Sequence, residues 1–236
     1  MIGRPQTEIV YEDKAIIVCV KPEGVSSEDS RGSSIDMVNL LKRHVSLTAR
    51  TQNPYIACVH RLDVPVAGLM VYAKTKKAAA SLSAQIKDHT FEKEYVCLVS
   101  GAKGVKPAGF YTTRRDMIRF DSVRNISTVV KPGVNDPTAK EAVLSYRVLL
   151  VVKDKALVRV KLVTGRHHQI RVQMAALFHG IVGDTKYNPD YAGSGRQKLC
   201  LECCRLSFDS PVDGKRQTFS REPSFAGSLH LRGGKI

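Results

Sequence analysis

A mixed α+β architecture is predicted, on three observations. Runs with strand character outnumber runs of helical spacing, and the two kinds do not alternate regularly as they do around a parallel sheet. The strongest strand signals, "EAVLSYRVLLVV" and "ALVRVKLV", are separated only by the turn Lys153-Asp154-Lys155, which makes an antiparallel hairpin. The expected sheet is therefore mixed and largely antiparallel, with flanking helices and loops.

The elements follow in order. "EIVYEDKAIIVCVKPEGV" (8–25) reads as two short strands around Glu12-Asp13-Lys14, ended by Pro22 and Gly24. "SSIDMVNLLKRHV" reads as a helix with Ser33 or Ser34 as cap and Ile35, Val38, Leu41 and Val45 at helical spacing. A polar loop leads to a strand near Tyr55–His60, then a loop carrying Asp63 and Pro65, then the strand "GLMVYAK" opened by Gly68. Thr75 caps a helix whose face is Ala79, Leu82 and Ile86, and "TFEKEYVCLVSG" is a long strand. Residues 102–139 give little pattern and are expected to be irregular hairpins or long loops. After the hairpin, "TGRHHQIRVQMAALFHG" reads as a turn and a helix over 168–179, with Ile170, Met174 and Leu177 on one face and Gly180 as its stop. "KLCLECCRLSFDSP" is a strand, Asp213-Gly214 a turn, Gln217–Ser220 a last strand, and the tail from Ala226 is expected to be loose.

Composition narrows the function. The chain has 236 residues, 43% hydrophobic and 25% charged, which supports one core or two half-domains sharing a cleft. Its longest aliphatic run, Val148–Val152, is far too short to cross a bilayer, and "MIGRPQTEIV" lacks a signal-peptide layout, so a soluble, cytoplasmic protein is expected. Six cysteines, of which Cys19, Cys58 and Cys97 sit in apolar, strand-like segments, fit a reducing compartment. "CLECC" (200–204) holds a Cys-x-x-Cys without a second pair, so no metal site is expected. "GAKG" (101–104) lacks the features of a phosphate cradle, so no nucleotide cofactor is expected either. The net charge is +15 and uneven: residues 1–100 hold 13 Lys+Arg against 11 Asp+Glu, and residues 101–236 hold 24 against 11. A one-sided basic surplus is the footprint of a polyanion partner, with membrane binding disfavoured by the lack of a basic amphipathic helix.

Asp63 is the first candidate for chemistry. Pro65 removes an amide donor and biases Val64 away from helix, so the segment is a fixed loop between strands, where catalytic side chains concentrate. A carboxylate there serves as nucleophile or base, or simply accepts backbone hydrogen bonds. It needs a cation to stay ionised among apolar neighbours; Arg61, Arg166 and Arg171 are the candidates. On a helix over 168–179, Arg171 lies about 100° from Ile170 and so flanks the buried face, a place suited to a partly buried ion pair. His167 and His168 read as ligands, acid–base groups or capping residues, and Tyr95 as a core aromatic or a stacking face.

These stretches resemble the RluA-type pseudouridine synthases. "HRLDVPVAGLMVYAKT" is similar to the family's H-R-L-D motif, "VCVKPEGV" to its K-P-x-G segment, "KEYVCLVSG" to its tyrosine strand, and "TGRHHQIRVQMAALFHGIVGD" to its T-G-R-T-H-Q-I-R segment. "CRLSFDSPVDGK" is similar to its closing strand and turn, so the likeness covers about 9–222. The chain departs from the pattern at Val66-Ala67 for Thr-Ser, His167 for Thr, Gln173 for His, and Gly180-Ile181 without the intervening Pro. None of these removes Asp63, Tyr95 or Arg171.

The resemblance implies a pseudouridine synthase fold over 1–225, in half-domains of roughly 1–100 and 101–225 with an active-site cleft between them, a tail at 226–236, and no room for an S4 domain. It implies isomerisation of uridine to pseudouridine in structured ribosomal or transfer RNA by a monomer, without cofactor or metal. Asp63 would be the essential carboxylate, Arg171 would hold it ionised, and Tyr95 would stack on the uracil, with Ile170 walling its other side. Arg61 would fill the gap left by the flipped base, and His60, Leu62, Arg166, His168 and Gln169 would complete the substrate site. The rival reading is a catalytically silent RNA-binding protein on the same fold. An Asp-nucleophile glycosidase would need a second placed carboxylate, and Asp184 is read as fixing a turn.

Overall fold

The computed structural model describes residues 7–28, 35–195 and 197–226. In chain order the elements are β1 (Glu8–Glu12), β2 (Ile16–Lys21), α1 (Met37–Thr48), β3 (Ala57–Cys58), β4 (Ala67–Ala73), α2 (Lys76–Lys87) and β5 (Glu92–Ser100). Then come β6 (Thr112–Asp121), β7 (Ile126–Val129), β8 (Lys140–Val152), β9 (Lys155–Leu162), α3 (Gln169–Leu177), β10 (Gly180–Ile181), β11 (Leu201–Asp209) and β12 (Arg216–Ser220). The class is α+β, as expected. The chain forms two compact units: the described residues up to Lys93 with Glu202–Pro223, and Glu94–Leu201 with the described residues from Ser224 on.

In the first unit, β1 pairs β2, β2 pairs β4, and both pairings are antiparallel, while β11 joins β4 in parallel and β12 antiparallel. The first hairpin forms because Asp13 accepts from the amides of Ala15 and Ile16 at 2.7 and 2.8 Å, closing the turn the sequence marked. Every residue of β2 is buried, and β4 is buried from Gly68 onward, so these strands are the core of the unit. Two helices belong to it. Thr75 caps α2 as expected, accepting from the Ala78 amide. The cap of α1 is Asp36, whose side chain accepts from the Asn39 amide and whose residue is fully buried. Ser33 and Ser34, the expected caps, lie outside the described residues, as does the tail beyond Ala226. The buried face of α1 is Met37, Leu41 and Val45; Ile35 precedes the helix and is exposed.

Gly68 sits where β4 lies between β2 and β11, opposite Lys21 and Cys203. Its φ is +127°, and an added Cβ would stand 2.4 Å from the Cys203 carbonyl oxygen. Gly68→Ala is expected to destabilise by about 2 kcal/mol or more, from backbone strain plus overpacking, read as a shift in the urea midpoint.

The second unit is an antiparallel array in the order β5-β9-β8-β6-β7, with β10 on β5. The β8–β9 hairpin is where the sequence placed it, with a bulge between Val148 and Leu150. The stretch 102–139 is more regular than expected, because β6 pairs both β7 and β8 in continuous register. Among its ten residues only Ile118 is buried, so the period-two apolar signal that marks a strand is missing. β6 is ordered by its hydrogen bonds to β8, a partner with a strong pattern of its own.

α3 is shorter than expected, Gln169–Leu177, and Gly180 opens β10 instead of stopping a helix. Six consecutive residues, Gln169 to Met174, are buried. The helix is thus enclosed on all sides over these six residues, with Ala176 exposed beyond them, and Arg171 is a buried residue instead of one flanking a stripe.

Candidate active site

The loop between β3 and β4 carries His60, Arg61, Leu62 and Asp63. Its backbone is tied to the segment after β2 at each step. Ser27 Oγ accepts from the Leu62 amide at 3.0 Å and donates to the Leu62 carbonyl at 2.8 Å. The Val64 carbonyl accepts from the Gly24 amide at 2.8 Å and from Lys21 Nζ at 3.1 Å. The Val66 amide donates to the Asp63 carbonyl at 2.9 Å, which turns the chain into β4. Asp63 itself is half-buried between these fixed neighbours.

Lys21 is fully buried and also donates to the carbonyls of Pro22 and Val25, at 2.9 and 2.7 Å. Three carbonyls thus take its three protons. Burial pulls its ammonium down to about 8, against the opposing pull of the Asp63 and Glu23 carboxylates.

The other loop residues divide by direction. Arg61 projects into solvent, its side chain 74% exposed, and pairs with Glu28 at 3.0 Å. That exposed pair is worth little and leaves the guanidinium available. His60 and Leu62 are both 7% exposed and belong to the unit's core. His60 Nε2 accepts from the Val71 amide at 3.2 Å, its ring packs 5.4 Å from Phe91, and Nδ1 has no partner among the described residues. The imidazole therefore anchors the loop to β4.

Burial, with the Lys93 charge adding to it, pushes His60 down to about 3 from the ordinary 6.5. The folded chain then refuses a proton that the unfolded chain accepts, so the contribution is complete above pH 6.5 and is lost as pH falls toward 3. Across that window stability is expected to drop by up to about 1.4 kcal/mol per pH unit from this group. Urea melts from pH 7 to 4 measure it, and His60→Gln, which still offers Val71 an acceptor, should flatten the slope.

In the second unit, Tyr95 is 4% exposed on β5. Tyr95 pairs Val160, Val160 pairs Tyr146, and Ala142 pairs Asp116, so by strand parity these side chains share a face of the sheet. α3 packs on that same face: Gln173 Nε2 donates to Asp116 Oδ2 at 2.8 Å, and Val172 packs with Ile118 and Ala142. The structure therefore brings Tyr95, Ile170 and Arg171 to one side of this sheet.

Arg171 is held by Asp184, which the sequence read only as a turn residue. Nε donates to Oδ2 at 2.8 Å and Nη2 to Oδ1 at 2.7 Å, with the side chains 5% and 0% exposed. Asp184 Oδ1 also accepts from the amides of Lys186 and Tyr187, so it does fix the turn. The Tyr187 ring lies under the guanidinium, 5.1 Å from Cζ. Its hydroxyl accepts from the Ser127 amide at 2.8 Å and lies 2.7 Å from His168 Nδ1. Burial, followed by the Arg171 charge, drives His168 far below its ordinary range, so it is neutral.

His168 has φ +52°, a left-handed turn at the helix start, which the Ser127 contacts to His167 help to hold. Gln169 accepts from Thr164 Oγ1 and the Arg166 amide and donates to the Val143 carbonyl, fixing the turn before α3. Arg166 is exposed and donates through Nε to the Glu141 carbonyl. Tyr187, Ser127, Lys21 and Ser27 were not singled out from sequence. Lys21 lies in the K-P-x-G segment that the sequence matched, without a role assigned there; the other three are found only by their partners in space.

The family model for RNA pseudouridylate synthase matches residues 15–176, across both the Asp63 loop and the start of α3. The chain belongs to this family. The dual-specificity RNA pseudouridine synthase RluA of Escherichia coli is 32% identical over 225 residues, covering 94% of this chain and 95% of that one. The ribosomal large subunit pseudouridine synthase D of Zymomonas mobilis is 30% identical over 227 residues, 91% of this chain and 68% of that one. Among solved structures, Human RNA Pseudouridylate Synthase Domain Containing 4 superimposes with a TM-score of 0.75 at 21% identity, over 94% of this chain, which shows the same fold. The chain is thus an RluA-type pseudouridine synthase, an isomerase that acts on RNA.

Proposed function

We propose that this chain converts uridine to pseudouridine in structured ribosomal or transfer RNA, with Asp63 as the reacting carboxylate. The relatives named for large-subunit RNA and for dual specificity support that substrate range. The observation that carries the assignment of Asp63 is the fixing of its backbone on both sides, in a loop where it alone is acidic among His60 to Val66.

In the reaction, the N1–C1′ bond of the uridine breaks and the base turns while bound. A C5–C1′ bond then forms, the C5 proton leaves to water, and N1 takes a proton, so the product is an isomer. Asp63 acts either by attack at C1′ or by removing the C2′ proton. Arg171 is assigned the role of keeping it charged, Tyr95 that of stacking on the base, and Ile170 that of confining it. Arg61, exposed beside Asp63, is assigned to the RNA, where it replaces the flipped base. Arg166 joins it there. His60, Leu62, His168 and Gln169 act by holding these groups in place. The enzyme works as a monomer in the cytoplasm, without metal or nucleotide cofactor.

The basic surplus of residues 101–236 supports phosphate contacts, so binding should weaken steeply with salt. Purified protein incubated with [5-³H]uridine-labelled ribosomal and transfer RNA should release tritium from at least one pool. Release from neither, with RNA still bound, would favour the silent RNA-binding reading instead.

A further inference from the structure

We propose that Ser27 is a positioning residue for Asp63, acting with Lys21 as the second arm of a bracket on the catalytic loop. The inference rests on the reading of Asp63 as the reacting carboxylate. Ser27 is 3% exposed and uses one hydroxyl to satisfy both the amide and the carbonyl of Leu62, the residue before Asp63. Lys21 and Gly24 hold the carbonyl of Val64, the residue after it. Ser27 thus fixes the peptide unit before the Asp63 Cα, the Val66 amide holds the carbonyl of the unit after it, and Lys21 and Gly24 hold the unit beyond that.

The bracket is itself anchored. The Tyr72 hydroxyl, fully buried on β4, donates to the Ser27 carbonyl at 2.8 Å. Ser27 is thus tied to the same strand that the loop enters, while Lys21 ends β2, which pairs with that strand. A carboxylate that must meet one sugar atom needs placement to a fraction of an ångström, and supporting shells supply it. Without the hydroxyl, Leu62 would keep its place only by leaving two buried backbone groups unpaired, so the loop would shift to find partners. The effect falls on the step that Asp63 performs and not on RNA binding, which Arg61 and the basic surface carry.

The test compares Ser27→Thr with Ser27→Val, side chains of equal shape that differ in the hydroxyl. The Val variant should show kcat lower than the Thr variant by about tenfold or more. KM and RNA affinity should agree within about twofold, since ground-state binding is not touched. Measurement well below both melting temperatures separates placement from loss of folded protein. If the added methyl prevents folding in both, the smaller Ser27→Ala against the unaltered chain carries the same contrast. Equal kcat in the pair overturns the bracket. Asp63→Asn run alongside separates the two levels. A dead Asp63 variant with an unaffected valine variant refutes the positioning role alone; an active Asp63 variant refutes the catalytic reading and the bracket with it.

Discussion

Asp63→Asn is expected to lower turnover by about 10⁴-fold or more while leaving RNA affinity within about threefold. The substitution keeps the shape and the backbone contacts, since the bracket acts on Leu62 and Val64 and not on the carboxylate. It removes the negative charge and the basic lone pairs that either route through the sugar requires. A filter-binding titration beside a single-turnover tritium assay reads the two quantities separately. Loss of both together would mean that the loop has come apart, not that a reacting group has been removed.

The second large effect falls on stability. Asp184→Ala should destabilise the chain by about 3–5 kcal/mol. The buried Arg171 guanidinium would lose the carboxylate that takes two of its donors, and the amides of Lys186 and Tyr187 would lose their acceptor. Urea unfolding measures the loss. The surface pair Arg115–Glu141, at 3.1 Å with side chains 65% and 58% exposed, is the contrasting case. Glu141→Ala there should change stability by less than about 1 kcal/mol. Because Asp184 also orients Arg171, turnover should fall in any folded fraction of the Asp184 variant.

The parts of the fold that sequence made legible are those whose signal is local. The turn at Asp13, the Thr75 cap and the β8–β9 hairpin each depend on residues a few positions apart. β6 escaped because a strand held along most of its length by a well-patterned partner, β8, needs little apolar alternation of its own. α3 was misread for the opposite reason. The spacing gave it one buried face of Ile170, Met174 and Leu177 with Arg171 at its edge, yet Gln169, Arg171 and Gln173 are all buried and are matched by partners from elsewhere in the unit.

The candidate site divides in the same way. Asp63, Tyr95 and Arg171 stood out through motif resemblance. The hold on the Asp63 loop did not: Lys21 lay in the matched K-P-x-G segment with no role assigned, and the loop carbonyls that Lys21 and Ser27 bind lie 43 and 35 positions away. Asp184 was seen as a turn residue because its amide contacts are local, whereas its bond to Arg171 spans 13 positions and a change of element. His60 and His168 look alike in sequence as candidate site histidines. Burial keeps both neutral in the fold, where His60 accepts from the Val71 amide and His168 shares a hydrogen bond with the Tyr187 hydroxyl.

The central claim is that Asp63 carries uridine isomerisation in RNA. The most direct measurement is nucleoside analysis of RNA digested after incubation with the unaltered chain and, in parallel, with Asp63→Asn. Pseudouridine should appear at the expense of uridine with the unaltered chain and be absent with the variant. Pseudouridine formed equally by both, or by neither, would contradict the account.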